Sequence, residues 1–144
     1  MDVLSLLQSE NRCLEKLLEI SRLFLVGAMK GEWSGLDEFD RKRQVFFKTL
    51  DLLDRKITEA AEALKASGRS LSLEASDEVQ CQLDLRKNTI DELLRSDTAL
   101  IEELEKETRS TSAEIGSSRR NKDRISKFKS SWVPQSGSEM DNQA

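Results

Sequence analysis

The sequence predicts an all-α fold: an antiparallel three- to four-helix bundle with long helices and a weakly docked C-terminal helix. Three observations carry this. Apolar residues recur at alternating three- and four-residue steps over most of the first 107 positions, the mark of helices that bury one stripe against other helices. The single proline, Pro134, stands near the end, so nothing before it forbids a long helix. Glycines gather where the spacing lapses, at Gly27, Gly31 and Gly35 and again at Gly68.

The first helix is expected over about 2–30. Leu4, Leu7, Asn11, Leu14, Leu18, Ser21, Leu25 and Ala28 form its seam. Leu17, Phe24 and Val26 widen the stripe, as in a helix that faces two neighbours. Asp2 is placed to cap its N-terminus. A Gly-rich turn follows, and the second helix is expected over 35–67, capped by Ser34 with Asp37 three residues on. Trp33, just before the cap, is positioned to fold over Glu38 or Phe39. The seam then runs through Leu36, Phe39, Phe46, Leu50, Leu53, Ile57, Ala60 and Leu64, with Arg43 its one interruption. This regularity makes the second helix the expected scaffold of the bundle.

Gly68 ends it, and Ser76 starts a third helix over 76–107, bringing consecutive helices side by side and antiparallel. Val79, Leu83, Ile90, Leu94, Ile101 and Leu104 mark its main stripe, with Leu93 and Leu100 beside it. That is more apolar width than one neighbour needs. The bundle therefore spans 1–107. Residues 108–133 change character: Ser, Thr and Gly116 weaken the helix, and a break is expected between Ser110 and Ser118. Ile125, Phe128 and Trp132 keep one narrow apolar stripe there, beside the bases Arg119, Arg120, Lys122, Arg124, Lys127 and Lys129. Residues 134–144 are polar and expected to be disordered.

Composition argues against several classes of function. There is no histidine or tyrosine and no glycine-rich phosphate loop, so no catalytic site is expected. Cys13 and Cys81 stand alone with no histidine, which leaves no metal or cofactor site expected and suggests two reduced, partly buried thiols. Acids (27) outnumber bases (23), which argues against nucleic acid as a partner. The apolar run Leu23–Val26 is far too short to cross a membrane, and Asp2 with no basic start is unlike a signal peptide, so a cytoplasmic location is expected. What remains is a helical binding protein.

Gly31-Glu32-Trp33 follows a Leu-rich helix and opens the charged start Leu36-Asp37-Glu38-Phe39 of the next. The long helix from Ile90 then leads to Glu114-Ile115-Gly116-Ser117-Ser118-Arg119-Arg120-Asn121-Lys122 and an aromatic residue shortly after. In this order of features the chain resembles the FliT family of flagellar type III export chaperones, over most of its length before Pro134. The resemblance implies a cytoplasmic all-α chaperone that binds the C-terminal segment of the filament-cap protein FliD before export. It also implies contacts with the export gate FlhA and the export ATPase complex. In the family the C-terminal helix can fold over the substrate-binding helices and inhibit them, and an aromatic on it, usually tyrosine, contacts the gate. Phe128 stands at that place without the hydroxyl. On this reading Leu93, Leu94, Leu100, Ile101 and Leu104 would receive the substrate protein, and Ile125, Phe128 and Trp132 would form the regulatory and gate-contact face. The alternatives are a structural coiled-coil protein, a homodimer registered by Asn11, Ser21 and Arg43, and a FlgN-type chaperone for hook–filament junction proteins.

Overall fold

The computed structural model describes residues 2–111 and 126–128. Three helices follow one another: α1 (Val3–Met29), α2 (Leu36–Ala66) and α3 (Leu73–Thr111). At 1.5 Å per residue they are about 40, 46 and 58 Å long. The chain is all-α among the described residues, and the helices pack as a bundle.

The ends are closed by local chemistry. Asp2 Oδ1 accepts the Ser5 N–H at 2.7 Å, which caps α1 as its sequence predicts. The α1–α2 turn closes through Glu32 N–H to Gly27 O at 2.9 Å, with Gly31 at φ +83°, a conformation that favours glycine. Two cap assignments shift. Gly35, not Ser34, is the N-cap of α2, and no side chain caps it; Phe39 N–H reaches Gly35 O at 2.9 Å instead. α3 begins three residues before the expected start, because Ser72 Oγ accepts the Ala75 N–H at 3.1 Å and takes the role expected of Ser76. At its other end α3 runs on to Thr111, so the expected break after Ser110 falls largely outside the described residues.

The centre of the bundle is α1, which corrects the expectation that α2 holds the frame. Nine α1 residues are buried, against three on α2 (Leu36, Phe39 and Arg43). α1 packs along both other helices, while α2 and α3 meet mainly through long side chains. Phe24 of α1 stacks on Phe39 of α2, and farther down Glu10 lies by Asp54, so these two helices are antiparallel. Asn11 bonds to Gln82, and Arg22 pairs with Glu92, so α3 runs parallel to α1.

Two apolar clusters fill the centre. One, at the level of the first turn, joins Ala28, Leu36, Phe39, Leu100, Leu104 and Phe128, with Phe24 and Trp33 packed against it. Trp33 meets Phe24 edge-on, at 6.0 Å between centroids, and packs against the cluster that holds Phe39, one of its two expected contacts. The other joins Leu17, Leu18 and Leu93, with Phe46, Phe47, Leu50 and Leu94 around them. On α3 the expected stripe is rotated over most of its length: Leu93 and Leu100, expected beside it, are buried together with Leu104 of the main stripe, while Ile90, Leu94 and Ile101 are half-buried and Leu83 is exposed. Val26, expected to widen the α1 stripe, points to solvent, as do Leu23 and Met29. Cys13 is half-buried and Cys81 is exposed, and both are free thiols. Burial raises the Cys13 thiol above its ordinary range, with Glu10 adding to it.

Candidate protein-binding groove

Because α1 holds both other helices, α2 and α3 stand side by side with a groove between them, and two arginines bridge it. Arg43 on α2 donates from Nη1 to Asp97 Oδ1 at 2.7 Å and from Nη2 to Oδ2 at 2.6 Å. Both side chains are enclosed, at 0% and 1% exposure. This forked geometry is what an arginine and a carboxylate favour, and burial makes it costly to break. It explains the one interruption of the α2 seam: the guanidinium occupies a core position because its counter-charge waits on α3.

Arg86 on α3 forms the second bridge. Its Nε lies 2.6 Å from Glu10 Oε1 on α1, and its Nη2 lies 3.3 Å from Asp54 Oδ1 on α2. One side chain thus ties all three helices. Burial pushes the Glu10 carboxyl up from 4.5 to about 8; Asp54 adds to the rise, and Arg86 opposes it. The folded chain holds this proton more tightly than the unfolded chain does, so the contribution of Glu10 to stability is fully present below about pH 4.5 and is lost as pH rises towards 8. The melting temperature of the chain is expected to fall across that window. Glu10→Gln, which cannot ionise, is expected to flatten the fall, as melts in a series of buffers would record.

The bridges are eleven residues apart on α2 (43 to 54) and eleven on α3 (86 to 97), about 16 Å along each helix. Phe47 and Leu50 share a helix face with Arg43 and Asp54, at i+4 and i+7 from Arg43. Ile90 and Leu94 do the same between Arg86 and Asp97. All four are half-buried. The groove between the bridges is therefore apolar and partly open.

Just beyond the upper bridge sits Phe128, the best enclosed residue of the described C-terminal piece, at 1% exposure. Its ring lies 6.2 Å from the Phe39 ring, and the Arg43 guanidinium carbon is 5.1 Å from its centre. The same guanidinium carbon lies 4.8 Å from the centre of the Phe47 ring. Phe128 thus packs against both α2 and α3 at the top of the groove.

The expected substrate-binding residues divide accordingly. Leu93 packs on Leu17 and Leu18 of α1 and belongs to the frame. Leu100 and Leu104 lie in the cluster that contains Phe128, with Ile101 packed against it. Leu94 is half-buried between the bridges. Of the expected regulatory residues, Phe128 is on the groove, while Ile125 and Trp132 lie outside the described residues. Sequence reading marked Arg43 as the break in the α2 seam and as a register position for a dimer, and it missed Asp97, Glu10 and Arg86, because a charged residue reveals in sequence neither its burial nor its counter-charge. Among the described residues no cluster of Cys, Asp and Glu could hold a metal ion, and no helix is long and apolar enough to cross a membrane. No protein-family model, curated protein or solved structure matches the chain.

Proposed function

We propose that this chain is a flagellar export chaperone of the FliT kind. It holds the C-terminal segment of the filament-cap protein FliD in the groove between α2 and α3 until export. The observation that carries the reading is Phe128, seated between α2 and α3 where the apolar groove ends. A segment rich in Ser and base that seals its groove with one aromatic is a lid of modest strength. Burying one Phe contributes about 1.5–3 kcal/mol, against the entropy of ordering the residues around it. A helix offering more apolar surface displaces such a lid. The Gly31-Glu32-Trp33 turn and the order of features around it add the family resemblance.

Delivery to the export gate FlhA and the export ATPase complex belongs to the same proposal, as does a cytoplasmic setting. The lid gives that delivery an order. Phe128 is enclosed while the lid is down, so a gate protein meets its ring only after the segment has left the groove.

The test is affinity for a peptide from the cap protein's C-terminal segment. Phe128→Ala is expected to tighten binding about tenfold or more, since it removes the competing occupant and leaves the bundle helical by circular dichroism. Equal or weaker binding to a folded variant would sink the lid. Parallel titration of hook–filament junction proteins separates the FlgN-type alternative. One observation favours the structural dimer: Leu23, Val26 and Met29 form an exposed apolar stripe on the outer face of α1. Light scattering decides it, because a chaperone of this design needs a free monomer and a structural coiled coil has none.

A further inference from the structure

The seat of Phe128 is more than an apolar hollow, and its chemistry limits what can fill it. Both terminal nitrogens of Arg43 are committed to Asp97, which holds the guanidinium plane fixed. What remains for a neighbour is the buried Nε–H, which no side chain accepts, and the flat face of a charged group with no exposed surface of its own. One neighbour is permanent, the Phe47 ring on the same helix, 4.8 Å away. The other, 5.1 Å away, is Phe128. An aliphatic side chain at that place would cover the cation without answering its charge, whereas the negative face of an aromatic ring does both. Around the seat stand Leu100 and Leu104, buried and aliphatic, and the Phe39 ring, 6.2 Å from that of Phe128, so the Arg43 cation and the Phe39 ring together favour an aromatic occupant.

We propose that this is an aromatic-selective seat. Any helix that takes the groove enters it with a Phe, Tyr or Trp on the Arg43 face and an aliphatic residue nearby against Leu100 and Leu104. This rests on the reading above, that the chain's own segment and a partner use the groove in turn. It adds the chemistry by which the partner is chosen. The buried ion pair is then a recognition element as well as a fastening: it costs the fold two desolvated charges and returns a surface that discriminates aromatic from aliphatic.

The experiment uses the full chain carrying Phe128→Ala, which empties the seat, and a labelled synthetic peptide of residues 119–133. Three versions of the peptide are titrated by fluorescence anisotropy: the native one, one with Phe128→Leu, and one with cyclohexylalanine in place of Phe128. The last has nearly the ring's bulk and no π face. The native peptide is expected to bind about tenfold tighter than either of the others. The same titrations on a chain that also carries Arg43→Met, Asp97→Leu and Phe39→Leu are expected to bring the three peptides within about twofold of one another, since a neutral aliphatic floor no longer rewards a π face. Cyclohexylalanine binding as tightly as Phe would overturn the proposal without reference to that second chain. So would an aromatic preference that survives on the neutral floor, or failure of every peptide to bind. A Phe preference here with no binding of the cap-protein segment would keep the seat and remove the flagellar assignment. The reverse pair of results would remove the seat alone.

Discussion

Asp97→Ala is expected to destabilise the chain by about 3–5 kcal/mol, the usual cost of stranding one partner of a buried ion pair. The guanidinium of Arg43 cannot lose its charge. Without Asp97 it would remain enclosed between Phe47 and Phe128, with its two forked hydrogen bonds gone. Small proteins are stable by about 5–15 kcal/mol in all, so this one change removes a large share. Urea titration followed by circular dichroism measures it as a lower midpoint with an unchanged slope. Replacing both members together, Arg43→Met with Asp97→Leu, is expected to recover most of the loss, because an apolar pair of similar volume needs no desolvation. If Asp97→Ala were nearly silent, the pair would be open to water and the enclosed seat would not exist.

Leu17→Ala is expected to cost about 2–5 kcal/mol, from lost burial and the cavity left behind. Leu17 has 0% exposure and packs with Leu18 and Leu93 among the partly buried side chains of α2 and α3, so neither neighbour can close the gap alone. Leu52→Ala on the outer face of α2 is the comparison, expected within about 0.5 kcal/mol of the parent, since its side chain is half in water already. The pair of variants asks which helix carries the fold. Equal effects in the same urea titration would contradict the central position of α1.

Much of this architecture is legible in the sequence. Three- and four-residue spacing places all three helices, Asp2 marks the start of α1, and Gly31 and Gly68 take the left-handed conformations that end helices. The central helix is harder to find, because a regular stripe such as that of α2 shows only that one face is apolar. The number of neighbours is written in stripe width, and the wide stripe belonged to α1, with Leu17 and Phe24 beside its seam. Ser72 and Ser76 are each serines at the head of the same helix, and only the path of the chain out of the preceding loop chooses between them. The groove was half legible. The apolar excess of α3 pointed to it, yet the rotation that buries Leu93 and leaves Leu94 and Ile90 at the groove depends on where α1 lies. The charged bridges were hidden, since Arg43 stands out as a break in its seam but its partner Asp97 lies 54 residues away and is not unusual alone.

That α1 packs on both α2 and α3 also sets the order in which the chain can fold as it is made. The ribosome releases α1 first, and its second neighbour arrives last, since the bonds between α1 and α3 span 70 or 71 residues. At about 5–20 residues per second, several seconds separate the emergence of Leu18 from that of Leu93. During that interval α1 can pair only with α2, as a two-helix hairpin with one apolar flank still wet. The newborn chain thus passes through a stage in which its central helix still lacks the second neighbour that later covers it.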